Sequence, residues 1–392
     1  MSRPGSSTEE TDKVVVFDTT LRDGEQSAGV CFERDDKLAI AHALAAMRVD
    51  VIEAGFPGAS PADFEAVRAV AREVRDARIC ALARAVAADV DAAGEALRGA
   101  SGPRIHVFVN ASDVQLAHQL RKDRAAVVAM AEAMVARARG YVADVEFSPM
   151  DATRADPDFV VEIVRAALRA GATTINLPDT VGHALPEKVG ALFREVRERV
   201  PEALGAVLSF HGQDDLGLAT ANALAAVRAG ARQLELCVNG IGERAGNTAF
   251  EEVVMALSVH GRALGVHTAI DTRGIYEVSR LVEARSGLPV PPNKAIVGRN
   301  AFRHASGIHQ DGVLKHRETY EAIDPAAIGH PVGTEIVLGK LSGRAGFAAK
   351  ARDLGFALEG ERLQRAFARF QALADHRREV ADEEVKAICA AA

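Results

Sequence analysis

Residues 14–26, VVVFDTTLRDGEQ, run a β-branched apolar segment straight into a turn that carries Asp18, Arg22, Asp23 and Glu25. A buried strand that ends by presenting charges at its C-terminal mouth has this pattern. Asp23 is of the type that ligates a hard metal ion, and Arg22 of the type that clamps a carboxylate or steadies an enolate oxygen. An ordinary charged loop would carry the same residues, so the rest of the chain has to decide between the two.

Outward from this stretch the pattern repeats. Apolar runs at 51–56, 78–82, 105–109, 145–148, 173–177, 206–210 and 233–238 read as strands, which with the opening run make eight. Amphipathic segments at 35–47, 61–74, 88–97, 124–139, 157–169, 186–200, 218–228 and 250–264 read as helices. Strands alternating with helices imply a parallel sheet, and eight units favour a closed (β/α)8 TIM barrel over a doubly wound sheet. The expected organisation is a disordered tail over 1–13, a barrel over 14–270, and a linker with small helical subdomains over 271–392.

In such a barrel the polar residues that matter follow the strands. Strand one ends at Arg22 and Asp23 and strand three leads to Arg84. Strand four contains His106 and ends at Asn110, and strand five reaches Glu146, Ser148 and Met150. Strand six is followed by Asp179, Thr180 and His183, strand seven by His211, Gln213, Asp214 and Asp215, and strand eight by Asn239 and GIGERAGN. The glycine spacing of that last segment is wrong for a dinucleotide fingerprint, and it follows the final strand instead of opening a Rossmann unit.

Composition narrows the function classes. With 392 residues, 48% of them hydrophobic, the chain can bury a large core. The net charge of −7 argues against a nucleic-acid partner, and no apolar run is long enough to span a bilayer. Cys31, Cys80, Cys237 and Cys389 lack the spacing of a zinc site or a disulfide framework, which fits a reducing cytoplasm.

Seven motifs in order, DTTLRDGEQ, EAGFPGASPADFEAV, FSPMDATR, LPDTVG, HGQDDLGLATANALAAVRAGA, NGIGERAGNTAFEEVVMAL and GIHQDGVLKHRETYEAIDP, resemble those of the isopropylmalate synthase and homocitrate synthase family, within the DRE-TIM metallolyase superfamily. The resemblance runs from about residue 14 to the end. It implies an acyltransferase that joins the methyl carbon of acetyl-CoA to the carbonyl of a 2-oxo acid and then hydrolyses the thioester. It also implies a divalent metal ion held by Asp23, His211, Gln213 and Asn239, with Arg22, His309 and Tyr320 catalytic. His106, Asn110, Ser148, Met150, Thr180 and His183 would bind substrate. A homodimer is implied in which the segment around His309 reaches the partner's site.

Several positions depart from the family pattern. His211-Gly212-Gln213-Asp214 stands where relatives carry HxH and Asn, so an amide replaces an imidazole; magnesium or manganese is thereby favoured, with cobalt or zinc as the other options. Met150 and Ala305 stand in place of Glu, His183 in place of Tyr, and VFVNASDVQL in place of FIATSDIHL. Loss of two acidic groups would lessen repulsion toward an anionic acceptor, so 3-phosphonopyruvate, giving a phosphonomethylmalate, is the expected acceptor, with oxaloacetate and 2-oxoglutarate as further anionic options. Isopropylmalate or homocitrate synthesis proper is the alternative; a lyase of the same superfamily and a non-catalytic relative are the competing classes. The regulatory domain of leucine-responsive synthases is not expected after the helical subdomains.

Overall fold

The computed structural model describes residues 11–392, which form two compact units, one running to Pro289 and the other from Val290 to Ala392. In the first, eight parallel strands close into a barrel. They are β1 (Val15–Asp18), β2 (Val51–Glu53), β3 (Arg78–Arg84), β4 (Pro103–Asn110), β5 (Asp144–Met150), β6 (Thr174–Asp179), β7 (Val207–Gly212) and β8 (Gln233–Leu236). Closure is made by β1, which pairs with β2 through Phe17 and Val51 and with β8 through Val15 and Gln233. Parallel strands need covered crossovers, and helices supply them. These are α1 (Arg34–Ala46), α2 (Pro61–Glu73), α3 (Ala87–Ala96), α4 (Arg124–Arg139), α5 (Pro157–Arg169), α6 (Pro186–Arg199), α7 (Ala219–Arg228) and α8 (Phe250–Leu264).

Helix starts are written locally. Ser60 caps α2 by accepting from the Asp63 amide, with Pro61 at the first helical position. Asp123 and Asp156 cap α4 and α5 in the same way, each such cap being worth about 1 kcal/mol. Side chains alternate along each strand, so one set faces the helices and the other the barrel interior. The interior holds an apolar cluster of Phe17, Val51 and Cys80 beside buried charged and polar side chains that include Arg104, Glu146 and Gln233.

Two boundaries differ from the sequence reading. Residues 1–10 lie outside the described residues, but Asp12–Lys13 is not tail: it pairs with Val266–His267. A further helix, α9 (Ile275–Ser286), expected in the second part, belongs to the barrel unit: the Asn239 side-chain amide donates to the carbonyl of Ser279.

The second unit holds α10 (Gly307–Lys315), α11 (Arg344–Asp353), α12 (Gly360–Ala374) and α13 (Asp382–Ala390). Its own core gathers Leu338, Phe347, Phe370, Val380 and Val385, with the rings of Phe347 and Phe370 stacked at 5.0 Å. Among the described residues no helix is long and apolar enough to cross a membrane.

Candidate active site

At the C-terminal mouth of the barrel a cavity of about 310 Å³ is lined by residues that include Arg22, Asp23, His106, Ser148, Thr180 and His211. Two turns shape it. The turn after β1 lies so close to the end of β8 that a Cβ on Gly24 would come within 2.8 Å of Cys237 Sγ. In the loop after β8, Gly246 has a φ of +97°, and a Cβ there would sit 2.0 Å from the Gly240 carbonyl oxygen. Both places need glycine because no side chain fits and, at Gly246, because the backbone is left-handed.

Glu53, at the end of β2, is the hub of one half of the site. Its carboxylate accepts from Arg22 Nε at 2.6 Å and from Thr19 Oγ1 at 2.7 Å, and His106 Nδ1 lies 2.9 Å away. Burial alone would raise the Glu53 pKa, but the Arg22 charge and His106 hold it well below the usual carboxylate range. His106 Nε2 meets Ser148 Oγ at 2.6 Å, and Asn176 Nδ2 donates to the same oxygen at 2.9 Å. Thr180 Oγ1 accepts from the Asp151 amide at 2.8 Å, leaving its proton for a ligand.

Metal-ligand chemistry gathers in the other half. Asp23 Oδ2 accepts from Arg22 Nη1 at 2.8 Å and lies 3.4 Å from His211 Nε2. Glu235 Oε2 stands 2.9 Å behind His211 Nδ1, within reach though poorly aligned for a hydrogen bond. A carboxylate there favours the tautomer that leaves Nε2 free to ligate. Burial lowers the His211 pKa, but Glu235 and Asp23 outweigh it and raise it above the ordinary imidazole value. Gln213 Nε2 lies 3.3 Å from His211 Nε2. Asp23 Oδ1 and Gln213 Oε1 are buried without a partner. Unpartnered buried oxygens of Asp23 and Gln213 beside the imidazole Nε2 of His211 fit a hard divalent cation.

Three expected substrate or metal residues are placed elsewhere. Asn239, in the left-handed region at φ 61°, accepts from Ser279 Oγ and donates to the Ser279 carbonyl, so its side chain is spent on α9. Asn247, whose backbone bridges to Gln213, keeps its Nδ2 on the Ile241 carbonyl at 3.0 Å and has a buried, unpartnered Oδ1, although it does not line the cavity either. It lies in the quoted GERAGN segment, and the period-two strand reading stopped short of it. His183 approaches Asp179 at 3.4 Å and does not line the cavity. Asn110 does not line it either; its amide donates to Gln115 and Gln119. Met150 does line it, while His309 and Tyr320 stack at 4.0 Å within the second unit.

Below the cavity lies a polar layer only partly foreseen. Arg104 Nη1 donates to Glu146 at 2.9 Å and to Gln233 Oε1 at 2.6 Å, and Gln233 Nε2 donates to Glu146 at 2.7 Å. His106, Glu146 and Glu235 bring ligand atoms within 4.8 Å of one another. The first two are already hydrogen-bonded, which makes this trio a poorer cation site than Asp23, His211 and Gln213.

The sequence profile of the HMGL-like family matches residues 13–282, and that of the homocitrate synthase post-HMGL domain-like family matches residues 296–378. A 2-isopropylmalate synthase from Methylorubrum populi is 54% identical over 377 residues, covering 96% of this chain and 72% of the relative. One from Thermosynechococcus vestitus is 53% identical over 391 residues, covering 96% and 73%. A solved hydroxymethylglutaryl-CoA lyase from Pseudomonas aeruginosa superposes with a TM-score of 0.60 at 24% identity over 72% of this chain and 96% of its own, a likeness of fold alone. These names speak for the isopropylmalate alternative over the phosphonate acceptor expected from the substitutions. A family profile spanning the whole barrel, together with identities above one half over nearly all of the sequence, gives one assignment: the chain belongs to the HMGL-like family.

Proposed function

We propose that this acetyl-CoA-dependent acyltransferase uses 2-oxoisovalerate as acceptor and forms 2-isopropylmalate. One observation carries the choice: beside its polar cluster the cavity has an apolar wall of Leu82, Phe108, Met150 and Pro178. A small branched side chain would bury there at about 25 cal/mol per Å². The two arginines lining the cavity are already committed, Arg22 to Glu53 and Asp23, and Arg244 to Asp215. What donors Arg22 has left serve the reacting oxygen and Arg244 is held by Asp215, so neither lining arginine is in addition turned to a phosphonate, which speaks against 3-phosphonopyruvate.

Asp23, His211 and Gln213, with Asn247 beside them, would hold a divalent ion. When bound there it supplies Lewis-acid polarisation of the acceptor carbonyl. The neutral amide of Gln213 favours magnesium or manganese over zinc. Arg22 is aimed by Glu53 so that its remaining donors meet negative charge growing on the acceptor oxygen or the enolate. Thr180 and Ser148 offer hydroxyls to the acceptor carboxylate. His309 and Tyr320 are the acid–base pair that takes the acetyl methyl proton; the carbanion adds to the carbonyl carbon, the alkoxide is protonated, and water then cleaves the thioester to free CoA. The same reading includes a homodimer in which the His309 segment serves the partner's cavity.

The test is free-thiol release from acetyl-CoA with 2-oxoisovalerate, 3-phosphonopyruvate, oxaloacetate and 2-oxoglutarate, each with magnesium, manganese and zinc. Preference for 2-oxoisovalerate is expected. Preference for any of the three anionic acceptors overturns the proposal.

A further inference from the structure

Beyond β4 the chain makes one helical turn at Asp113–Gln115 and then a π-helical turn over Leu116–Leu120. Arg121 closes it in the left-handed conformation, its amide donating to the Leu116 carbonyl at 2.8 Å. Turns of this kind are uncommon and concentrate at functional sites. Here Leu116 is buried, and a side chain from β4 also fastens the turn. Asn110 Nδ2 donates to Gln115 Oε1 and to Gln119 Oε1, both at 3.0 Å, so both of its hydrogens are used.

Asn110 stands opposite Met150 in the β4–β5 register and follows Phe108 on the same face of β4. Met150, Phe108 and Gln119 all line the cavity, whereas Asn110 and Gln115 do not. Gln119 is therefore the piece of the π-turn that reaches the acceptor's side of the cavity, and Asn110 fixes where it stands. With its carbonyl oxygen held by Asn110, Gln119 is a neutral, oriented wall. It selects by length and not by charge. Asn110 and Gln115 are also among the places where VFVNASDVQL departs from FIATSDIHL.

We propose that Gln119, pinned by Asn110, caps the apolar end of the cavity and sets the longest acceptor side chain that fits; Asn110 is its positioning residue. The inference rests on the acyltransferase reading above and deepens it.

The test uses the full chain and a ladder of acceptors: 2-oxobutanoate, 2-oxoisovalerate, 4-methyl-2-oxopentanoate and 2-oxohexanoate. Thiol release is followed with acetyl-CoA, and acceptor binding is followed separately by calorimetry in the presence of manganese. Gln119→Ala should raise kcat/KM for 4-methyl-2-oxopentanoate relative to 2-oxoisovalerate by roughly tenfold, since one methylene in an apolar pocket is worth that much. The gain should lie mainly in KM, and Kd for the longer acceptors should fall in step. Asn110→Ala should shift the ladder in the same direction by less, and Gln115→Ala, which keeps the Asn110–Gln119 bond, should leave it unchanged. An unchanged ladder in Gln119→Ala, an equal loss for every acceptor, or a Gln115→Ala shift as large as that of Gln119→Ala overturns the inference. A wild-type chain that binds the ladder without turnover overturns the acyltransferase reading alone, because the length dependence is still read in Kd. One that binds none of the four overturns both.

Discussion

Arg22 Nε lies 2.6 Å from Glu53, and the same carboxylate sits 2.9 Å from His106 Nδ1. One buried acid from β2 thus aims a cation from the β1 turn and fixes the ring of a histidine from β4. A site built from three strands is only as well placed as the group they share.

Replacing Glu53 by Ala takes one of two carboxylate partners from a buried guanidinium and removes the partner of an imidazole. Breaking a buried pair from one side costs about 3–5 kcal/mol. The urea midpoint of Glu53→Ala should drop accordingly, and kcat should fall with it. A midpoint within error of the parent would show that Asp23 alone suffices to hold Arg22.

Glu235 stands behind His211 Nδ1 at 2.9 Å. Its removal should weaken divalent-ion binding by roughly 10–100-fold, the usual consequence of losing the group that orients a ligating histidine. Manganese binding to Glu235→Gln, read by electron paramagnetic resonance without turnover, checks this. Unaltered affinity would exclude His211 as a ligand oriented in this way.

The two asparagines of the β8 loop make opposite predictions. Asn247 offers a free buried Oδ1 beside Gln213, whereas Asn239 is committed to Ser279. Asn247→Ala should weaken manganese binding, besides the stability lost with the bond from its Nδ2 to the Ile241 carbonyl. Asn239→Ala should lower the unfolding free energy by about 1 kcal/mol for the lost part-buried hydrogen bonds to Ser279, with manganese binding intact. The reverse pattern would restore Asn239 as the ligand.

Asp18 gives a pH dependence. Burial pushes its carboxyl from 3.8 to about 7, with Glu53 adding to the shift and hydrogen bonds from Thr20 opposing it. A carboxyl raised in the folded state stays protonated there while the unfolded chain ionises. Its contribution is therefore complete below about pH 4 and is lost as pH climbs to about 7. Up to about 4 kcal/mol is at stake by the free-energy equivalent of each pKa unit. Asp18→Asn should flatten this fall, so its stability relative to the parent should improve between pH 5 and pH 8 in denaturant titrations. A constant difference across that range would contradict the shift.

The order of strands and helices was legible because the period changed from two to nearly four residues between segments, and because Ser60-Pro61 and Asp156-Pro157 announce helix starts. Arg22, Asp23, Ser148, Thr180 and His211 were legible because strand ends in such a barrel converge. Glu53, Asn176 and Glu235 also occupy inward positions, yet each sits inside an apolar run where a polar residue gives no sign of which partner it meets. Asn239 and Asn247 could not be told apart by position, since a loop's side-chain directions depend on backbone turns such as the left-handed Asn239. His183 was misplaced for the same reason. Asp12–Lys13 looked like tail because its pairing partner lies 254 positions away, between Asp12 and Val266.

The polar layer under the cavity bears on how the barrel forms. Arg104 and Gln233 are bonded across 129 positions of chain, so the charge on β4 is not fully accommodated until β8 arrives. A partly closed sheet would keep Arg104 and Glu146 short of donors and acceptors in a dry interior, an expensive state that a chain avoids populating. The last strand is thus coupled to the middle ones, and a barrel lacking β8 should behave as an open, molten ensemble instead of a seven-stranded fragment.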